Sequence, residues 1–232
     1  MGFSGNSCDK LKQVRKIQPT RRSVSGIYPF RGQSSVPYES TLERDFVVRH
    51  EFLTHVLDVI PQPTLLEWRD SRGRPQTYVP DFMVYFRLGT RSFENYPKPL
   101  LVEVKPRHLW RAHWREWLPK WKVAWRYARQ EGAEFRIFDE SRIRDQAFDN
   151  ITFLERYKRM QFDEPDSAQI LETVRLVDIV TMDYLLARHF PSDYSRAEGI
   201  AHIWHLLATR RLDCDIHQRI GLLTPLWIAR HE

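Results

Sequence analysis

Apolar positions change their period several times along the chain. Between residues 39 and 59, Leu42, Phe46, Val47, Phe52 and Leu53 recur near helical spacing, which predicts a first helix with one apolar stripe. Glu39 and Glu43 are four apart and share a face of that helix. The pattern then turns strand-like over 64–68, 77–86 and 99–105. The stretch 70–75, with Gly73, reads as the first turn, and 89–97 connects the second and third strands. A helical pattern returns over 108–131, followed by a strand at 134–138 and a helix at 141–160. A helix, three strands, a helix and a further strand form an α/β domain: one central mixed sheet flanked by helices.

Within 108–131, Trp110, Trp114, Trp117, Trp121 and Trp125 are spaced to fall on one narrow face, which predicts packing against the sheet. Arg111, Arg115, Lys122 and Arg126 lie on a neighbouring stripe, about 100–160° round from Trp110, and are candidates for tracking a phosphate backbone. Pro119 is expected to kink or break this helix. Beyond Asp163, Pro165 and Asp166, taken as a boundary, come helical candidates near 167–175, 178–190 and 195–211. Two strands follow within 212–228, around Gln218-Arg219-Ile220-Gly221. Three helices and a terminal hairpin make a small winged-helix pattern. The expected organisation is an arm over 1–36, an α/β domain over 37–162 and the winged-helix domain over 163–232.

Charge is unevenly spread over the 232 residues, whose net is +6. Residues 1–37 hold seven Lys and Arg against one Asp, while residues 163–232 hold seven Arg against 11 acidic residues. Basic segments attract polyanions, so DNA contact is expected in the arm (Lys10, Lys12, Arg15, Lys16, Arg21 and Arg22) and the central domain. The acidic last segment is expected to face protein. No run approaches the ~18 apolar residues of a membrane span, and Met1 to Ser7 lack a signal-peptide core. Two cysteines, Cys8 and Cys214, support neither a disulfide framework nor a thiolate zinc site. The reading is a soluble, reducing compartment with no membrane partner. His202 and His205 have no companions for zinc. A phosphate-binding glycine loop and a serine-hydrolase motif are both missing from the sequence.

The chemistry concentrates in Tyr78-Val79-Pro80-Asp81-Phe82 and Val102-Glu103-Val104-Lys105-Pro106. Side chains at i and i+2 of a strand share a face, so Glu103 and Lys105 point together. If the strands pair, Asp81 meets Glu103, and two carboxylates suit a hard cation such as Mg²⁺. This spacing is the PD…(D/E)xK motif of restriction-endonuclease-like nucleases, weak alone and strengthened by the strands and the acidic helix upstream. The same string on a solvated strand face is the plain alternative.

The chain resembles TnsA, the endonuclease subunit of heteromeric bacterial cut-and-paste transposases. The resemblance runs in order through Arg15-Lys16-Ile17-Gln18-Pro19-Thr20-Arg21-Arg22-Ser23, Glu39-Ser40-Thr41-Leu42-Glu43-Arg44-Asp45-Phe46, the two motif segments, and Ile203-Trp204-His205-Leu206-Leu207-Ala208-Thr209. It implies a restriction-endonuclease-like fold in which Asp81, Glu103 and the Val104 carbonyl hold one or two Mg²⁺ ions, which Mn²⁺ can replace. Glu43 completes the site, and Lys105 orients and helps deprotonate the attacking water. Some members carry Gln where this chain has Glu103. The implied partners are double-stranded DNA at transposon ends, a DDE transposase cutting the 3′ ends and an AAA+ regulator, in the bacterial cytoplasm at the nucleoid. The alternatives are a free-standing restriction or repair nuclease, and a non-catalytic DNA-binding assembly subunit. The intact Glu43, Asp81, Glu103, Lys105 set speaks against the last.

Overall fold

The computed structural model describes Gln13, residues 24–89 and residues 95–229. Lys10, Lys12, Arg15, Lys16, Arg21 and Arg22 lie outside the described residues. The end of the stretch expected to be an irregular arm is instead ordered as an antiparallel hairpin, β1 (Gly26–Phe30) and β2 (Ser34–Tyr38). Its turn is closed by the Gln33 amide on the Phe30 carbonyl at 3.0 Å, with positive φ at Arg31 (50°) and Gly32 (66°). Such a turn matches strand twist, and glycine adopts it without cost. Arg31 does so against its preference, held by its amide on Glu51 Oε1 (2.6 Å) and its guanidinium on the Val56 carbonyl (2.8 Å).

Next come α1 (Thr41–Phe52), β3 (Val56–Pro61), β4 (Leu66–Arg69), β5 (Pro75–Tyr78), β6 (Phe82–Phe86), β7 (Leu100–Val104), α2 (Arg107–Gln130) and β8 (Glu134–Phe138). The sheet has the order β3-β6-β7-β8, antiparallel through β7 and parallel between β7 and β8. A parallel pair needs a long crossover, and α2 supplies it. The expected mixed sheet flanked by helices is therefore present. Two boundaries differ from expectation. The first helix stops at Phe52, because Val56, Val59 and Ile60 are β-branched and pair with β6 instead of continuing an amphipathic helix. The expected strand 77–86 is broken at Pro80, which has no amide to donate to a ladder. Its first part pairs with β4 in a separate hairpin, and its second part enters the main sheet.

Residues alternate between the two sheet faces. Phe46 of α1 stacks on Phe82 at 5.2 Å and meets Phe138 edge-on at 5.2 Å, so α1 covers one face. The other face carries Met83 and Leu101 against Trp121, Ala124 and Ala128 of α2. The small alanines let the helix approach the sheet closely. That packing keeps α2 continuous through Pro119, which costs one helical hydrogen bond without breaking the helix as expected. The tryptophan stripe is split. Trp110, Trp117 and Trp121 pack on the core, whereas Trp114 and Trp125 are 43% and 48% exposed. On the helical wheel those two lie about 40–60° from Trp110, toward the arginine stripe, where the sheet no longer covers the helix.

His50, buried in α1, sits 3.9 Å from the Phe46 ring with Nδ1 2.7 Å from the Phe46 carbonyl. Burial, helped by Arg49 and His55 and opposed by the Phe46 carbonyl, lowers its pKa from 6.5 to about 4. The unfolded chain therefore binds a proton here before the folded one does. Stability is complete above about pH 6.5 and falls as pH drops toward 4, by about 3 kcal/mol from this group. His50→Leu should flatten that part of the stability–pH curve in denaturant titrations. An unchanged slope between pH 6.5 and 4 would refute the assignment.

The described residues fall into two compact units. The first takes the chain up to Glu51 and His55–Glu140, and the second Phe52–Thr54 and 141–229. The second unit starts well before the boundary read at Asp163. Its elements are α4 (Gln146–Glu155), after the short turn α3 (Glu140–Ile143), then α5 (Glu164–Val177), β9 (Val180–Thr181), α6 (Met182–His189), α7 (Asp193–Ala208), β10 (Leu212–Asp213) and β11 (Pro225–Ile228). Asn150 of α4 donates to the carbonyls of Ile216 (2.8 Å) and Gln218 (2.6 Å), which ties α4 to the later chain. Pro165, taken as a linker residue, instead occupies the first turn of α5, where a missing amide costs nothing. The expected helix 141–160 is interrupted where Asp145 caps α4, accepting from the Phe148 amide at 3.1 Å. The strands form a small antiparallel sheet of order β10-β11-β9.

Candidate active site

Asp81 stands at the break between β5 and β6, where the main sheet takes hold of the chain. Its amide donates to the Val102 carbonyl at 3.0 Å, and its own carbonyl accepts from the Gln62 amide at 2.8 Å. The carboxylate turns toward β7 and accepts the Val104 amide on Oδ2 at 2.7 Å. A short carboxylate-to-amide bond fixes the side chain well. Across the pair, Phe82 lies opposite Val102, which brings Asp81 beside the end of β7. Glu103 is 1% exposed, on the same face as Leu101. Its Oε2 accepts from the Tyr78 hydroxyl at 2.6 Å and its Oε1 from Lys120 Nζ at 3.1 Å. Lys105 Nζ bridges the two acids, 3.5 Å from Asp81 Oδ2 and 3.6 Å from Glu103 Oε1. The expected convergence of Asp81, Glu103 and Lys105 is thus realised in space.

Glu43 is buried and tied into the N-terminus of α1. Its carboxylate accepts from the Glu39 amide (2.7 Å) and the Ser40 hydroxyl (2.9 Å), and the Ser40 oxygen accepts the Glu43 amide at 3.2 Å. This is a variant of the capping box, and it gives Glu43 a structural role in the arrangement seen here. Glu43 still acts electrostatically on Asp81 and Lys105. Val104 contributes its amide to Asp81.

Burial pushes the Asp81 carboxyl well above the usual range, and Glu103 and Glu43 add to the rise against Lys105 and the Val104 amide. Burial likewise raises Glu43, opposed by the Glu39 amide, Ser40 and Lys105. For Lys105, burial works against the charge, but Asp81, Glu103 and Glu43 outweigh it and hold the ammonium above its ordinary pKa. Tyr78 is raised well above 10 by burial, then by Glu103 and Asp81, and stays a phenol donor. Crowded, desolvated carboxylates with this appetite for positive charge are what a hard dication relieves, so the donor chemistry fits Mg²⁺. Among the described residues, however, no three metal-ligating side chains are already gathered for an ion. Of the three acids, Glu43 is the one turned to other partners, the Glu39 amide and the Ser40 hydroxyl.

Family comparisons coincide with this division of the chain. Residues 54–140 match the TnsA-like endonuclease N-terminal model and residues 142–216 the TnsA endonuclease C-terminal model. The chain belongs to the TnsA endonuclease family. It is an endonuclease of Tn7-type transposition, and the seam between the two TnsA matches falls where the two compact units divide. A comparison with curated proteins gives no match.

In this TnsA protein Arg111, Arg115, Lys122 and Arg126 are exposed along α2. Arg111 and Arg115 lie over the Trp110 and Trp114 rings, at 5.9 and 5.3 Å. Sequence reasoning missed three residues at the site. Tyr78 lay inside the motif segment but carried no assignment. Lys120 lies about 80° from Trp110 on the side away from the basic stripe, and only the docking of α2 brings it to Glu103. Gln62 sits at φ 45° with its amide on Asp81 and its buried Oε1 without a hydrogen-bond partner. Backbone strain of this kind gathers at functional sites. Among the described residues, no helix is long and apolar enough to cross a membrane.

Proposed function

We propose that the chain hydrolyses DNA at the 5′ ends of a transposon, acting with a DDE transposase that cuts the 3′ ends and an AAA+ regulator. The observation that supports it most is the meeting of Asp81, Glu103 and Lys105 at one end of β7, with Lys105 within 3.6 Å of both acids. Asp81, Glu103 and the Val104 carbonyl would hold Mg²⁺, with Glu43 completing the site or serving a second ion. When bound, the ion supplies positive charge for the phosphate oxygens and acidity for water. Lys105 would orient and help deprotonate the attacking water and offset charge at the phosphate. Water attacks phosphorus and the 3′ oxygen leaves, giving a 5′-phosphate and a 3′-hydroxyl. The helices α5, α6 and α7 with the small sheet β10-β11-β9 are read as a winged helix, and the acidic balance of residues 163–232 suits protein partners.

The test is strand-resolved cleavage of transposon-end DNA. Cutting at the 5′ ends is expected only with Mg²⁺ or Mn²⁺ and with the transposase and regulator present, and a chelator should abolish it. Cutting of unrelated duplex by the chain alone would favour the free-standing nuclease instead. The exposed stripe on α2 is assigned to the phosphate backbone, as is the basic arm. Changing Arg111, Arg115, Lys122 and Arg126 together to Gln should weaken duplex binding and reduce the log–log salt slope by about 0.9 for each phosphate no longer neutralised. A slope equal to the parent's would leave these residues as a solvated face.

A further inference from the structure

We infer that Lys120 is a positioning residue of the nuclease centre, acting through Glu103. The inference rests on the reading of Asp81 and Glu103 as metal ligands. Lys120 is the nearer of two ammonium groups to Glu103, at 3.1 Å against 3.6 Å for Lys105. It is confined as well as paired. Its Nζ lies 4.8 Å from the centroid of the Tyr78 ring and 5.0 Å from that of Trp117. Aromatic faces attract an ammonium and limit the wandering of a long, flexible lysine. Tyr78 in turn donates to the other Glu103 oxygen at 2.6 Å. Glu103, Tyr78 and Lys120 thus close a triangle in which each member touches the other two.

The triangle answers a physical need. Asp81 has a short side chain, and the Val104 amide fixes it from the backbone. Glu103 is one methylene longer and receives no such amide among its hydrogen bonds here. Tyr78 and Lys120 do for it what Val104 does for Asp81: they choose one direction for both oxygens. Partners of this kind around ligating side chains typically matter 10–100-fold in metal affinity or activity. Lys120 also couples α2 to the end of β7, so the helix that carries the exposed arginines is tied to the acid it flanks.

The opposing reading is that Lys120 is only a counter-ion that competes with a dication for Oε1. The two differ in sign. A positioning lysine, once removed, leaves Glu103 free to rotate and weakens cation binding; a competing lysine, once removed, strengthens it. The experiment measures Mg²⁺ and Ca²⁺ affinity of the full chain by calorimetry, and the Mg²⁺ dependence of 5′-strand cutting in the complete reaction. The variants are Lys120→Met, Lys120→Arg and Tyr78→Phe, each with its thermal unfolding recorded. Lys120→Met is expected to raise the half-saturating Mg²⁺ concentration about 10–100-fold. Lys120→Arg should recover most of it through charge and ring contacts, and Tyr78→Phe should show a smaller rise in the same direction. Tyr78→Phe keeps the ring, so it answers the question if Lys120→Met fails to fold. Wild-type-like cation affinity in Lys120→Met and Tyr78→Phe, or tighter binding in Lys120→Met, would overturn the inference while wild-type cutting leaves the nuclease reading standing. A wild-type chain that neither binds the cation nor cuts would overturn both.

Discussion

Asp81→Ala should abolish 5′-strand cutting, lowering its rate by about 10³-fold or more, while leaving the fold and DNA association in place. Several kcal/mol of transition-state stabilisation depend on a metal ligand of this kind, and each 1.36 kcal/mol is a factor of ten. The fold should survive because the side chain is not part of the apolar core. Its loss frees the Val104 amide and one partner of Lys105, and it relieves the burial of a carboxylate and its repulsion by Glu103 and Glu43. These effects oppose each other, so thermal unfolding should move by only a few degrees. The check is the complete reaction with Mg²⁺, read strand by strand beside the unfolding curve. Wild-type cutting by the variant would remove Asp81 from the site. Abolished cutting with a collapsed fold would show that the defect came from structure.

The largest expected effect on stability is at Phe46. Its ring is fully buried, 3.9 Å from His50, 5.2 Å from Phe82 and 5.2 Å from Phe138. Phe46→Ala removes the ring that seats α1 on the sheet and leaves a cavity between them. The cost should be about 3–5 kcal/mol, which lowers the unfolding midpoint by roughly 2–4 °C per kcal/mol for a chain of this size. Tryptophan fluorescence suits the measurement, because Trp68 and the five tryptophans of α2 all lie in the first unit. A shift worth less than about 1 kcal/mol would mean that α1 does not depend on this ring.

The meeting of Asp81, Glu103 and Lys105 was legible because strand geometry is regular. A period of two put Glu103 and Lys105 on one face, and antiparallel pairing with the preceding strand, β6, brought Asp81 beside them. Lys120 and Tyr78 were harder to see, because their contact with Glu103 depends on how α2 rotates and docks on the sheet. That docking is set by Trp121, Ala124 and Ala128 against Met83 and Leu101, which are long-range contacts. The same docking decided which tryptophans became core, where five evenly spaced rings looked equivalent. Ser40 and Glu43 do carry a helix-start signature, Ser-x-x-Glu, which points to capping as readily as to metal binding. The second unit was misplaced at its start for a local reason: Pro165 punctuates the sequence, yet a helix N-terminus tolerates proline as well as a linker does. The division at residue 140 rests on α4 packing with the later chain, and that partner is distant in sequence.

The most direct test of the central claim is to let the site cut its own backbone. The full chain, bound to transposon-end DNA, is loaded with Fe²⁺ in place of Mg²⁺ and treated with ascorbate and peroxide, and the protein fragments are mapped by mass. Scission near Asp81 and near Glu103 to Lys105, suppressed by excess Mg²⁺ and missing in Asp81→Ala, is the expected result. Scission confined to other parts of the chain, or unchanged in Asp81→Ala, would contradict a metal-dependent nuclease centre built on these residues.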